Sequence, residues 1–361
     1  MTWRRGRILP TALLIIASVA AGGSAQEVVD LEHSGAGYPV YRIPALAVAN
    51  DGTLLAAYDG RPSMADVPSN IALLVRRSRD GGRTWDPRQV VRADTAPLGF
   101  GDPSLLVDRA TGRIFLFHAA SVRRGFAGSA AGSSDSDPDV LHADLSWSDD
   151  HGLTWMHRRL TSAVKDPAWG GIFASSGSGI QLRGGRLLQP FVIRHRGANW
   201  AAALLSDDHG ATWRMGGLAG PGADESEVAE LEDGTLLLNS RAKPFRLVAR
   251  SRDGGGSWGP FAPDTALADP ANNAGLLALR GGAWLLLSHT ADRERRVNLE
   301  LRLSCDGGLT WAVGRTLVPG PAAYSTLALL PDGAVGVLFE RGDYEAISFA
   351  RVPVAWVGPC P

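Results

Sequence analysis

Ser78-Arg79-Asp80-Gly81-Gly82-Arg83-Thr84-Trp85 is the first of five copies of one octapeptide, the others running Ser148 to Trp155, Ser206 to Trp213, Ser251 to Trp258 and Ser304 to Trp311. The shared pattern is Ser-x-Asp-x-Gly-x-(Thr/Ser)-Trp, with starts 45 to 70 residues apart. Five copies of a five-position pattern do not arise by chance, and a fixed self-similarity of this length marks a repeat architecture. The chemistry is that of a tight turn. The Asp side chain can accept from backbone N–H groups further on, and Gly supplies the positive φ at which the chain reverses. The Trp then projects a large apolar area toward a neighbouring sheet. Strand-like runs precede several copies, as in Ile71 to Val75, Ala201 to Leu205 and Arg246 to Ala249. Asp-Gly turns between apolar runs recur at Asp51-Gly52, Asp233-Gly234 and Asp332-Gly333, as in β-hairpins.

Composition agrees. The 44 glycines and 22 prolines among 361 residues favour short strands joined by turns, and no sustained 3.6-residue apolar period occurs beyond the N-terminus. Repeated sheets of this length predict an all-β chain folded as a β-propeller. Five marked units and an unmarked closing one predict six blades of four-stranded antiparallel sheets, filling residues 26–361 as one domain. The ending, Ala346 to Val352 and Val354 to Trp356, is expected to pair with Val28 to His33 and close the ring. With Lys+Arg at 36 against Asp+Glu at 37, no basic surplus exists to bind nucleic acid.

Residues 1–25 read as a secretory signal peptide. Arg4, Arg5 and Arg7 are followed by a short apolar run from Ile8 to Ala20 and by the small residues Gly23-Ser24-Ala25. The run is short for a membrane span, no cysteine stands near the cleavage point, and no stable membrane anchor is expected. Removal of this segment predicts an exported protein. The two cysteines, Cys305 and Cys360, are too few for a thiolate zinc site, and the sequence leaves their pairing open.

The five Asp-containing repeats, together with Tyr41-Arg42-Ile43-Pro44 near the expected mature N-terminus, resemble the secreted bacterial exo-α-sialidases over essentially the whole mature chain. The resemblance implies a six-bladed propeller that removes terminal sialic acid from glycans, with no metal or cofactor. Asp boxes alone also occur in propellers of other function, so the site residues decide.

Sialic acid carries a carboxylate on its anomeric carbon, and planar, permanently charged guanidinium groups suit that anion. The family uses three. Arg42 matches the first, Arg241 in Asn239-Ser240-Arg241 the second, and Arg302 in Arg302-Leu303-Ser304 the third; Glu340 in Leu338-Phe339-Glu340 matches the acid that orients the first. A carboxylate nucleophile would be repelled by the substrate's own carboxylate, and sialidases use tyrosine instead. Tyr324 in Tyr324-Ser325-Thr326 matches that nucleophile, and Glu225 in Asp224-Glu225-Ser226 its general base. Strand alternation places Glu225 and Glu227 on one face, so only the family position, 16 residues before Arg241, favours Glu225. Asp66, in the Pro-flanked loop after Arg61, matches the acid/base, which predicts activity on the acid side. Asp59 is the competitor, although Tyr58-Asp59-Gly60 reads as a turn. Arg61 and Asp102 resemble residues that bind sugar hydroxyls or the N-acyl group, and Phe126, Trp169 and Phe173 are either acyl-pocket or core residues.

Other motifs carry less. Asp135 to Asp139 starts like a calcium loop but has Val140 and Ser146 where Gly and Glu are required. The eight histidines lack zinc spacing, and Gly177-Ser178-Gly179 is an incomplete fingerprint. Arg293 to Arg296 reads as a loop facing water. The expectation is therefore a retaining exo-α-sialidase acting on sialylated glycans. The alternatives are a trans-sialidase, in which a sugar hydroxyl replaces water, and a propeller that only binds glycans.

Overall fold

The computed structural model describes residues 28–360. The expected signal peptide, residues 1–25, lies outside them. The described chain is all-β apart from short helical turns such as Thr161–Val164 and Val354–Val357. No helix among the described residues is long and apolar enough to cross a membrane.

The sheets stand around an axis as a propeller and follow the chain in order. The first comprises Val40–Val48, Leu54–Arg61, Ala72–Ser78 and Gln89–Arg92. Gly99–Val107, Ile114–Ser121, His142–Ser148 and Met156–Arg159 form the second, with Gly177–Ser178 added parallel to its inner strand. The third is built on Leu187–His195, Ala198–Ser206 and Arg214–Met215, with Ile172–Ala174 and Ile180–Gln181 along its inner edge. Ser226–Glu230, Leu236–Ser240, Phe245–Ser251 and Ala262–Ala268 make the fourth.

The remaining seven strands form one sheet, so among the described residues five hydrogen-bonded sheets stand where the sequence predicts six. The cause is one long strand. Arg315–Leu329 pairs Val297–Ser304 through its first half and Val335–Arg341 through its second, so hydrogen bonding never breaks between them. As expected, Val28–His33 pairs antiparallel with Ala346–Val352 and closes the ring with the chain's own beginning.

The repeated octapeptides are hairpin turns of one design. In the first, Ser78 Oγ donates to Asp80 Oδ1 at 2.9 Å and accepts from Gly82 N at 2.8 Å, while Thr84 N and Oγ1 donate to the two Asp80 oxygens at 2.9 and 2.6 Å. The same bonds recur around Asp150, Asp208, Asp253 and Asp306. Gly82 and Gly210 have φ of +88° and +82°, and a Cβ on either would collide with Phe349 or Phe115 of the neighbouring sheet. Glycine is therefore required twice over at this position, by conformation and by space. The Trp side chains wedge between sheets: Trp85 meets Phe349 edge-on at 5.3 Å, and Trp213 meets Phe117 at 5.1 Å. Each such contact adds roughly 0.5–1.5 kcal/mol to the burial of its area. Cys305, inside the fifth repeat, is bonded to Cys360, with Cα atoms 5.8 Å apart, which fastens the C-terminal tail.

Antiparallel order fixes which loops share an end of the axis. The start of each inner strand and the end of the second strand lie together at one end. The repeated turns, which follow the third strands, lie at the other. A cavity of about 330 Å³ opens at that second end, lined by Val48, Val107, Ile180, Val228 and Leu277 among others, and holds none of the residues expected to be functional.

Candidate active site

The functional side chains gather at the first end, and irregular backbone aims them. The ladder of the first sheet shifts register between Arg42 and Ala45, that of the second between Gly101 and Ser104, and that of the last between Ala322 and Ser325. Ile43 and Asp102 sit at φ of 59° and 58°, uncommon for residues with a Cβ. Three bulges at the same level of three inner strands turn Arg42, Asp102 and Tyr324 into the mouth.

Glu340, fully buried, joins two of these strands. Its Oε1 accepts from Arg42 Nε at 3.2 Å and Ile43 N at 2.8 Å, and its Oε2 from Tyr324 N at 3.1 Å. One carboxylate thus fixes both Arg42 and the backbone that carries Tyr324. Burial opposes the charge on Arg42, but Glu340 outweighs it and the guanidinium holds its proton more firmly than usual.

Tyr324 is 5% exposed. Its hydroxyl donates to Glu225 Oε2, and Arg241 Nη1 donates to both oxygens, closing a three-membered cluster. The other Glu225 oxygen accepts from Ser176 Oγ at 2.6 Å. Arg241 leans on Asp224 as well, Nε to Oδ1 at 3.3 Å. Burial drives the Tyr324 phenol well above its ordinary pKa; Arg241 pulls the other way, Glu225 adds to the rise, and Arg296 and Arg42 oppose it. The resting phenol is neutral, beside a carboxylate able to take its proton and cations able to stabilise the phenolate.

The structure separates the two glutamates that alternation left equivalent. Glu227 does not reach Tyr324. It is buried against Ser178, accepting from N at 3.3 Å and Oγ at 3.2 Å, and burial pushes its carboxyl well up.

Three guanidinium groups surround the Tyr324 ring: Arg42 at 5.3 Å from its centroid, Arg241 at 6.0 Å and Arg296 at 5.2 Å. Arg302 is not among them. It lies on a third strand, opposite Leu287, and faces the outer strand of the fourth sheet, where Nη1 donates to Ala266 O at 3.0 Å and Nε to Glu300. Third strands stand away from the axis, so no rotamer there returns the side chain to the mouth. Arg296 takes the third place, from the loop after Trp284–Thr290 that was expected to face water. Its Nη1 donates to Tyr344 Oη at 3.2 Å and its Nη2 to Ala271 O at 3.0 Å. The missed signal was positional: Arg296 comes after a second strand, as Arg241 does, and Arg61 ends one.

Asp66 stands on the exposed loop, its side chain 70% accessible, and accepts from Arg61 Nη1 at 2.6 Å. Asp59 is no turn residue. It lies within Leu54–Arg61, fully buried, and accepts from Arg61 Nε and Nη2 at 2.9 and 2.7 Å. Asp102 Oδ1 is 4.0 Å from Arg61 Nη2. Phe126 and Phe173 meet edge-on at 4.9 Å and pack with Val67, the neighbour of Asp66, whereas Trp169 belongs to a separate core cluster. In the acidic loop, Asp135 caps Ser162 and Asp139 pairs with Arg124. Among the described residues, no group of three or more His, Cys, Asp or Glu is arranged to hold a metal ion.

Comparison with known proteins places this arrangement. The model of the BNR repeat-like domain family matches residues 13–337. An exo-alpha-sialidase of Arthroderma benhamiae is 30% identical over 366 residues, covering 90% of this chain and 86% of the relative. The chain belongs to the sialidase family. A sialidase of Micromonospora viridifaciens is 50% identical over 342 residues, 89% of this chain and 53% of that protein. One of Bacteroides fragilis is 32% identical over 327 residues, 83% of this chain and 60% of the relative. The chain thus spans between half and three fifths of these two bacterial sialidases. Among solved structures, the Hadza microbial sialidase Hz136 superposes with a TM-score of 0.86 at 31% identity, over 91% of this chain and 69% of that one. A leech intramolecular trans-sialidase reaches 0.81 at 20% identity, over 93% and 72%, a likeness of fold.

Proposed function

We propose that the protein is an exo-α-sialidase that hydrolyses terminal sialic acid from glycans with retention of configuration. The observation that carries this reading is the contact of Tyr324 with Glu225 inside a ring of three arginines. Arg42, Arg241 and Arg296 grip the substrate carboxylate, which sets the anomeric carbon above the phenol. Glu225 takes the phenolic proton as the Tyr324 oxygen attacks that carbon, and Asp66 protonates the departing glycosidic oxygen. A covalent sialyl-tyrosine results. Asp66 then removes a proton from water, the water oxygen displaces Tyr324, and the phenolate recovers its proton from Glu225. Arg61 and Asp102 meet the sugar's hydroxyl or N-acyl groups.

A neutral phenol avoids the repulsion that an anionic nucleophile would meet beside the substrate carboxylate. The firmly charged Arg42 and Arg241 compensate both that carboxylate and the phenolate that forms in passing. The reading extends to three further points. The seven-stranded sheet is taken as two blades that divide near Ala322, which gives six around the axis. Residues 1–25 direct export and are removed. The Cys305–Cys360 bond supports an oxidising destination.

Proton NMR of a sialyllactose digest tests the proposal. The wild type is expected to release α-sialic acid first and Y324F to release almost none. Release of the β-anomer first, or transfer of the sugar to lactose in place of water, would overturn the hydrolytic retaining assignment.

A further inference from the structure

Tyr344 takes no part in bond making, yet it meets two of the three arginines that surround Tyr324. It is half-buried on the hairpin turn between Val335–Arg341 and Ala346–Val352. Its ring faces the Arg42 guanidinium at 4.7 Å, and its hydroxyl accepts from Arg296 Nη1 at 3.2 Å. Both guanidinium groups also lie over the Tyr324 ring, at 5.3 and 5.2 Å. One phenol side chain therefore braces two cations beside the nucleophile.

The backbone that carries this ring is held in an uncommon shape. Gly342, Asp343 and Tyr344 have φ of 63°, 55° and 69° in succession, and such a value is rare for a residue as bulky as tyrosine. The turn is pinned from two directions. Gly342 N donates to Pro321 O at 3.0 Å, and Ser34 N donates to Glu345 O at 2.8 Å. Ser34 Oγ donates to Tyr344 O at 2.7 Å and accepts from Tyr41 N at 3.4 Å, which ties the turn to the strand of Arg42. Uncommon conformations fixed by their surroundings cluster where a side chain must point one way.

The three arginines are braced differently. Arg42 has Glu340, and Arg241 has Glu225 and Asp224. Arg296 has no carboxylate partner among the described residues; its bonds go to the Tyr344 hydroxyl and the Ala271 carbonyl. Both acceptors are neutral. A carboxylate in place of the phenol would hold Arg296 firmly but would cancel the charge that an anionic substrate needs. An uncharged phenol fixes the direction of the guanidinium and leaves its charge.

We propose that Tyr344 is a positioning residue for the carboxylate grip, fixing Arg296 through its hydroxyl and Arg42 through its ring so that one uncompensated cation faces the substrate's carboxylate. This rests on the reading that Arg296 grips that carboxylate.

Tyr344→Phe keeps the ring over Arg42 and removes the acceptor of Arg296. The substrate carboxylate is gripped alike before and during reaction. KM for sialyllactose is therefore expected to rise about 3- to 10-fold, with kcat within about twofold. Because the effect runs through Arg296, it should vanish in the Arg296→Ala background, where adding Y344F is expected to change KM by less than about twofold. A loss carried mainly by kcat, no change at all, or an equal rise in KM in both backgrounds would overturn the inference. Should Y344F fail to fold, arginine 15N NMR of the wild type without substrate decides, the Arg296 signals being assigned by their loss in R296A. Distinct Nη signals from a restrained Arg296 are expected, and averaged signals overturn the inference.

Arg296→Ala alone separates this from failure of the underlying reading. If R296A leaves kcat/KM unchanged, Arg296 has no place in the grip and that reading falls. If R296A lowers kcat/KM while Y344F leaves KM in place, only the role of Tyr344 falls.

Discussion

The hydroxyl of Tyr324 donates to the carboxylate of Glu225 across 99 residues of sequence, and no other carboxylate accepts from it among the described residues. That contact joins the last part of the propeller to the fourth sheet. It makes a poorly nucleophilic phenol and its proton acceptor one unit.

Tyr324→Phe keeps the ring and removes the attacking oxygen. Turnover of a fluorogenic sialoside is expected to fall by roughly 10³-fold or more, with the far-ultraviolet circular dichroism spectrum unchanged. Undiminished turnover in a folded variant rejects the nucleophile.

The two buried glutamates should respond oppositely to the same substitution. Glu225→Gln removes the proton acceptor and is expected to cost about 10²–10⁴-fold in kcat. Glu227 lies against Ser178 and away from the phenol, with burial pushing its carboxyl well up, so an amide of the same shape should leave kcat within about threefold. Steady-state kinetics of both variants make the comparison, and equal losses would deny the assignment of the base.

Arg296 and Arg302 divide in the same way. Arg296→Ala removes one charge-assisted contact to the substrate carboxylate, worth about 1.5–3 kcal/mol, so kcat/KM should fall by about 10- to 150-fold. Arg302→Gln should stay within about threefold, because its guanidinium is engaged with Glu300 and Ala266. The reverse ranking would restore Arg302 to the site.

Acid should unfold the protein in two windows. His118 is buried as the neutral ring, its pKa lowered to about 4 chiefly by desolvation. Folding therefore favours the unprotonated form, and the full benefit is present above the unfolded value of about 6.5. Roughly 3 kcal/mol of it is lost as pH falls from there toward 4. Asp80, Asp150, Asp208 and Asp253 are held at about 2, with the Thr or Ser hydroxyl of each repeat a main cause alongside the desolvation that opposes it. Their contribution is present above the unfolded carboxylate value and fades toward pH 2. Thermal melts from pH 7 to pH 2 check both, and His118→Gln should flatten the upper window alone.

The Cys305–Cys360 bond closes a loop of 55 residues. Chain-entropy arguments give it about 4 kcal/mol. Cys305→Ser is expected to lower the melting temperature and leave kcat unchanged, since the bond lies at the repeat end, away from Tyr324. Calorimetry beside an activity assay separates the two effects.

What could be read from sequence was whatever had a local signature. The repeated turns announced themselves because Ser, Asp, Gly and Thr close their bonds within five residues. Tyr41-Arg42-Ile43-Pro44 was legible as a motif that resembles the bacterial exo-α-sialidases, and the bulge it forms became visible only in the structure. Arg296 and Asp59 were not. Arg296 enters the site from a loop with no pattern of its own, placed only by the strands on either side. Asp59 next to Gly60 resembles a turn, yet the strand runs through both, because Arg42 and Leu73 pair Asp59 from either side. The six-sheet expectation met a similar limit. No residue near Pro321 breaks the hydrogen bonding of the long strand, so composition could not foresee one sheet continuing into the next.

Arg42 and Glu340 stand 298 residues apart, and the strand after Glu340 accepts Val28–His33 to shut the circle. A chain emerging from the ribosome therefore carries Arg42 without its carboxylate partner until 298 further residues have been added. Its opening strand has no partner until the last of the blades is made. The support of Arg42 and the closure of the ring arrive together, within a few residues of elongation, and a nascent chain that has not reached residue 340 has neither.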